Sequence, residues 1–253
     1  MTAPPRTPAG AEAGLHPAVA AHGDERARLV RRMFARIAPR YDLVNRVASL
    51  GLDGLWRRRA VEALGLGPGD WCLDVCCGTG DLSLAVAGSG ARVLGVDFCR
   101  PMLALAVGKT AAPAGRGVTV AEADAHRLPV ATASMDGACV AFGVRNLADP
   151  GAGLREMARC VRPGGRVVVL EFSRPWRGPV RWLARWYCDH VVPWLGDRLT
   201  GQQEYRYLPE TMARWLAPED LAHALRAAGL VDVGWRRLSA GIVALHVGTV
   251  PGA

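Results

Sequence analysis

Lysine is nearly absent: Lys109 is the only one among 31 basic residues, so the formal charge of +8 is carried almost wholly by arginine. Scattered solvated arginines account for such a surplus as well as attraction to anionic lipid or nucleic acid does, so charge alone excludes neither class. Long apolar runs are missing as well. Half of the residues are hydrophobic, yet no run reaches the ~18 residues that a membrane-spanning helix needs. Residues 1–23 are rich in Ala, Pro and Gly and lack the apolar core of a signal peptide, so they read as a disordered tail on a cytoplasmic protein. The seven cysteines lack the paired spacings of a zinc site, and Cys72, Cys76 and Cys77 crowd one apolar segment. Free thiols in a reducing compartment fit them best. The acids and histidines are scattered without ligand spacing, so no metal is expected.

What is present is a change of rhythm. From Asp24 the pattern is helical, with Leu29, Met33, Phe34 and Ile37 on one face until Pro39, and further helical stretches follow over about 41–50 and 53–64. Residues 24–66 read as an N-terminal helical cap over the site. After Gly67-Pro68-Gly69, short apolar runs alternate with helical stretches, the pattern of βαβ units over 67–253. Strands are expected at WCLDVC, RVLGVD, VTVAEAD, MDGACVAF and RVVVLEFS, buried on both faces as a parallel sheet requires. Asp149-Pro150 suits a helix start, Pro163-Gly164-Gly165 a turn, and Gly229 a helix end. VDVGWRRL and IVALHVGTV flank a turn at 239–241 and read as a closing hairpin. Residues 174–217 fit neither pattern and read as an insertion above the sheet.

LDVCCGTGDLSLAV places Gly78, Thr79 and Gly80 between a strand and a helix, where small residues let backbone approach a ligand and the helix offers free amides. A dinucleotide fingerprint requires a third glycine where Ser83 stands, so NAD is disfavoured. Asp74 ends the first strand and suits a cationic amino acid better than a pyrophosphate. Asp97 ends the second strand, placed to accept from both ribose hydroxyls. Asp124 ends the third and could reach an adenine amine. Helix capping or plain solvation remains the alternative for each acid. Taken together they point to S-adenosylmethionine.

At this point the chain resembles the C-methyltransferases of ubiquinone and menaquinone biosynthesis over about residues 30–248. The likeness rests on IAPRYDLVNRVASLGLDGLWRR, LDVCCGTGDL, GVDFCRPML, AFGVRNLADP, REMARCVRPGGRVVVLEFSRP, YRYLPE and SAGIVALHVG. It implies an α/β, class I S-adenosylmethionine-dependent methyltransferase fold, Rossmann-like, with a mostly parallel seven-stranded sheet closed by an antiparallel C-terminal hairpin. It also implies methyl transfer to a quinol ring carbon, with demethylmenaquinol as the expected acceptor, and cofactor contacts at Thr79, Asp97, Asp124 and Ala125. The sequence departs at Ala141, where some members have a cofactor-contacting serine, and at Cys99, where serine is common. Cys76 replaces the opening glycine of the wider loop pattern.

Methyl transfer from a sulfonium is an in-line displacement, so the protein has to align an electron-rich carbon. A quinol carbon becomes nucleophilic when its neighbouring hydroxyl ionises. Arg145 in FGVRN is expected to stabilise that oxyanion, with a salt bridge to an acid such as Asp149 as its structural alternative. Asn146 offers an amide to the other quinol oxygen or to the loop backbone. Tyr41 and Asn45, four apart on one helical face, are placed either to close over the substrate or to serve core or capping roles. His126 is expected to be solvated, and His246 to be structural rather than a proton acceptor.

Rival readings are a methyltransferase of soluble phenols or polyketides, a nucleic-acid methyltransferase, and a non-catalytic cofactor binder. The Asn/Asp-Pro-Pro-aromatic motif of amino-methylating enzymes is absent, since FGVRN occupies its place, so no nucleic-acid partner is expected. Trp176, Trp182, Trp186, Tyr187 and Trp194 alternate with Arg177, Arg181 and Arg185, and Val180, Leu183, Tyr187, Val191 and Trp194 share a helical stripe that Pro193 would end. That composition suits a peripheral contact with the inner face of a membrane, the alternative being an ordinary lid. A second copy of the chain stays open as a partner.

Overall fold

The computed structural model describes residues 16–173, 186–191, 194, 198 and 207–252. Seven strands form one sheet in the order β3-β2-β1-β4-β5-β7-β6. They are β1 (Trp71–Val75), β2 (Arg92–Asp97), β3 (Val118–Glu122), β4 (Met135–Ala141), β5 (Val161–Phe172), β6 (Val231–Leu238) and β7 (Val243–Thr249). The first five run parallel, and β7 lies antiparallel between β5 and β6. The fold is thus the α/β, class I methyltransferase arrangement with a closing hairpin. Strand order reverses between β1 and β4, and a ligand crevice opens at the carboxyl ends of strands at such a reversal.

The period-2 alternation of side chains sets the layers. Leu73, Val75, Val167 and Val169 face α7 (Pro150–Cys160) and α9 (Pro218–Ala227), burying Leu154, Met157, Leu221 and Leu225. Cys72, Cys139, Val168 and Leu170 face the opposite layer, where α4 (Leu52–Leu64) and α5 (Asp81–Ala87) supply Trp56, Ala60, Leu64, Leu82 and Val86. Each such Leu buried is worth roughly 1.5–3 kcal/mol. Helix α4 therefore belongs to the sheet's own layer. Helices α2 (Gly23–Ile37) and α3 (Tyr41–Ala48) stand over the strand ends, where Ile37 and Val44 pack on Met102 of α6 (Arg100–Thr110).

Two expectations change. Residues 16–23 are not tail: Pro17–Ala20 form α1, whose Ala18 and Val19 are buried with Val30, Met33 and Tyr207. Pro163-Gly164-Gly165 does not separate helix from strand, because β5 already pairs at Val161 and its register against β4 shifts across that segment. Within the insertion, Tyr187–Val191 form a π-helical turn and Tyr207–Arg214 form α8, with Tyr207 buried. Residues 1–15 lie outside the described residues, and so do Trp176, Arg177, Val180, Arg181, Trp182, Leu183, Arg185 and Pro193. Asp149 caps α7 as expected, its side chain accepting from the Ala152 amide at 3.0 Å. The six cysteines with described side chains are free. Among the described residues no helix is long and apolar enough to cross a membrane.

Candidate active site

Two neighbouring cavities open at the carboxyl ends of β1 and β4. The smaller, about 130 Å³, is lined by Asp97, Phe98, Asp124, Ala125, His126 and Ala141 among others. The larger, about 470 Å³, runs from Cys77, Gly78 and Thr79 past Phe142 and Arg145 to Leu50, Leu52 and Trp186. Phe34, Tyr41, Cys76, Gly78, Ala141 and Phe142 border both. Of these, Cys76 (φ 57°) and Phe142 (φ 59°) hold left-handed backbone, a strained conformation for residues with a Cβ.

The glycine loop is shaped for close approach. A Cβ on Gly78 would meet nothing within 4 Å, so its backbone faces open cavity, whereas one on Gly80 would come within 3.3 Å of Ala106 Cβ. Asp97 accepts from the Gly78 and Cys99 amides, each at 2.9 Å. Burial pushes its carboxyl up, while those amides hold it back. Asp124 accepts from the His126 amide at 2.9 Å and pairs with its Nδ1 at 2.6 Å. Burial works upward on Asp124, but the bonds from His126 prevail and leave it below the ordinary carboxylate range. His126 is not simply solvated. Its Nε2 accepts from the Asp149 amide at 3.2 Å, tying the loop after β3 to the loop after β4.

Asp74 lines the larger cavity but is already hydrogen-bonded within the protein. It is buried, and its oxygens are taken by Ser83 Oγ at 2.5 Å and Cys139 Sγ at 3.7 Å. Burial pushes its carboxyl up to about 7. Thr79 does line the large cavity, but its hydroxyl donates to Asp42 at 2.6 Å and accepts from Lys109 at 3.0 Å. Ala141 borders both cavities and offers no hydroxyl.

On the acceptor side, Arg145 is not a free cation, nor is it paired with Asp149. Its Nη1 lies 2.6 Å from Glu171 Oε1 and donates to the Phe142 carbonyl at 2.7 Å. Its guanidinium carbon sits 4.9 Å from the Phe172 ring centroid. Its Nε is buried without a partner among the described residues. Asn146 serves the loop: Nδ2 donates to the Phe142 carbonyl at 3.2 Å, and Oδ1 accepts from the Tyr207 hydroxyl at 2.9 Å. Tyr41 and Asn45 share the face that α3 turns to the cavity, as their spacing implies. Burial pushes the Tyr41 phenol up, against a hydrogen bond from Asn45. His246 lies outside the site, its Nε2 at 2.9 Å from the Pro218 carbonyl, and burial lowers its pKa.

Two contributors escaped the sequence reading. Glu171 had a signal, an acid inside the apolar run VVVLEF that has to be paired if buried. Arg57 had little, because the run Arg57-Arg58-Arg59 does not say which arginine faces inward.

A sequence model described as the ubiE/COQ5 methyltransferase family matches residues 20–250. The chain is 43% identical over 221 residues to a demethylmenaquinone methyltransferase of Mycolicibacterium vanbaalenii, covering 87% of this chain and 94% of that one. It is 46% identical over 223 residues to that of Thermus thermophilus, covering 87% and 100%. A ubiquinone/menaquinone biosynthesis C-methyltransferase of Syntrophotalea carbinolica is 40% identical over 226 residues, covering 88% and 95%. Among solved structures, the [4+2]-cyclase SpnF superposes with a TM-score of 0.67 at 18% identity, covering 90% and 97%. A possible histamine N-methyltransferase of Thermotoga maritima superposes with a TM-score of 0.61 at 20% identity, covering 87% and 99%. At those identities the two structures speak for the fold alone.

Proposed function

The chain belongs to the ubiE/COQ5 methyltransferase family, and from that premise we propose that it moves a methyl group from S-adenosylmethionine to a ring carbon of demethylmenaquinol. The observation that carries the proposal is the pair of neighbouring cavities that share wall residues. One is walled by the strand-end acids Asp97 and Asp124, the other is mostly apolar, and Tyr41, Cys76 and Phe142 line both. S-adenosylmethionine supplies the methyl group as an electrophile on a sulfonium. In this reading Asp97 receives the ribose hydroxyls, and Asp124 with Ala125 borders the adenine. Gly78, Thr79 and Gly80 form the loop beneath the amino-acid arm.

The acceptor side makes the carbon nucleophilic by favouring the ionised quinol oxygen. Arg145, oriented by Glu171 and the Phe142 carbonyl, brings permanent positive charge to that wall. Glu171 offsets much of this charge, so the benefit comes from orientation in a dry site rather than from a free cation. Phe142 and Phe172, with centroids 4.7 Å apart, offer faces for a flat ring. Tyr41 borders both cavities beside Asn45, so its phenol stands at the junction. Asn146 and Tyr207 act as positioning residues that hold the FGVRN loop.

The mouth of the large cavity favours a lipid tail over a soluble phenol. Leu50, 75% exposed, and Leu52 lie at its rim opposite Trp186, which is 45% exposed. Tyr187 bridges the two sides, its hydroxyl donating to the Ala48 carbonyl at 3.2 Å. In this reading the isoprenoid tail leaves between the α3–α4 turn and Trp186 toward a membrane surface, where Trp194 and Arg198 add a second contact. Turnover should be compared on demethylmenaquinol, a tail-less naphthol analogue and a benzoquinol. The expected order is demethylmenaquinol first, and activity confined to simple phenols would overturn the lipid reading.

A further inference from the structure

Resting on that methyltransferase reading, we propose that Arg57 is the receptor for the carboxylate of the cofactor's amino-acid arm, with Asp81 beside it for the ammonium. The three arms of S-adenosylmethionine diverge from the sulfonium. With the adenosine in the smaller cavity and the methyl aimed at the Phe142–Arg145 wall, the amino-acid arm is left with the part of the large cavity bordered by Thr79, Asp81, Asp53 and Arg57. Among the described residues the cations lining that cavity are Arg57 and Arg145. Arg145 is taken by Glu171 on the acceptor wall.

Asp74, the acid that the loop pattern favours for the ammonium, also lines this cavity but is buried and already bonded to Ser83 and Cys139, whereas Asp81 stands beside Arg57 with about a third of its side chain exposed. The guanidinium of Arg57 reaches Asp53 Oδ2 at 2.6 Å through Nη1 and Asp81 Oδ2 at 3.2 Å through Nη2. The longer bond is the one to exchange. The sole lysine makes the exchange cheap, because Lys109 holds the other oxygen of Asp81 while also pairing with Asp42 at 2.6 Å. When Arg57 turns toward a carboxylate it keeps Asp53, and Asp81 keeps Lys109. In charge, Asp42, Asp53 and Asp81 exceed Arg57 and Lys109 by one. The arm's ammonium and carboxylate cancel, so that surplus of one negative charge is left to face the sulfonium.

The test is calorimetric binding of S-adenosylmethionine and of methylthioadenosine, which has the same adenosine but no amino-acid arm, to the wild type, Arg57→Gln and Arg57→Lys. Arg57→Gln is expected to weaken S-adenosylmethionine roughly tenfold or more, the size of a charge-assisted hydrogen bond, while methylthioadenosine stays within about twofold. Arg57→Lys, a point charge without the planar fork, should fall between. The ratio of the two affinities within each variant is independent of how much protein folds. Equal losses for both ligands, or an unchanged ratio, would overturn the assignment and leave Arg57 a brace for the loop. Failure of the wild type to bind either ligand would sink the methyltransferase reading itself, and this inference with it.

Discussion

Nη1 of Arg145 lies 2.6 Å from Oε1 of Glu171, and the two side chains are 6% and 0% exposed. Glu171 also accepts from the amide of Phe172 at 2.8 Å. Replacing Arg145 alone therefore strands a buried carboxylate, and Arg145→Met is expected to cost about 3–5 kcal/mol of stability. Adding Glu171→Gln removes the stranded charge and should restore most of that loss in a denaturant melt. The double variant should still turn over on the order of a hundredfold more slowly, because the oriented cation is gone. Full turnover in the refolded double variant would make the pair purely structural.

Asp97→Asn keeps a polar side chain but loses the charge that holds the Gly78 and Cys99 amides and faces the smaller cavity. Calorimetry is expected to show S-adenosylmethionine affinity reduced by roughly 1 to 3 kcal/mol. An unchanged affinity would remove Asp97 from the cofactor site.

Asp74 provides a pH signature. Burial raises its folded-state pKa from 3.8 to about 7. A raised carboxyl pKa favours folding while the group is protonated, so its contribution is complete below pH 4 and is lost as pH rises through about 7. Melting temperatures should reveal that loss in the wild type against Asp74→Asn, in which it should be absent. Parallel pH profiles for the two proteins would show that Asp74 ionises at its ordinary value.

At the cavity mouth, Leu50→Ser combined with Trp186→Ala should lower activity on a long-tailed quinol while sparing a tail-less analogue. Co-sedimentation with anionic vesicles should fall in the same variant, and binding by the wild type should weaken with salt. Equal losses on both substrates with unchanged sedimentation would make this rim an ordinary lid.

The sheet could be read from the sequence because its signals are local. VVVL, LGVD and ACVA are buried on both faces, and the turns between them carry Gly or Pro. Strand-end acids were legible for the same reason, since a strand delivers its last residue to the crevice whatever the rest of the fold does. What local pattern cannot supply is the partner. Arg145 looked like a free cation until β5 brought Glu171 beside it, 26 residues further along the chain. The bonds that Asp74 accepts from Ser83 and Cys139 were equally hidden, because β4 brings Cys139 beside it from 65 residues away. Residues 16–20 looked like tail because their short apolar pair, Ala18 and Val19, gains its burial only from α2 and Tyr207. Arg57 was hidden by its neighbours, Arg58 and Arg59, and its inward direction shows only in the fold, where it lines the cavity and pairs with Asp53 one turn earlier.

The central claim is carbon methylation of a quinol, and the site of the transferred label tests it most directly. The purified chain, given S-adenosylmethionine with a deuterated methyl group and reduced demethylmenaquinone, should yield a product heavier by one labelled methyl. Carbon NMR should place that methyl on the ring carbon, with both quinol oxygens still able to be oxidised to the quinone. A label on oxygen, or no labelled product from the quinol while a soluble phenol is methylated, would contradict the account.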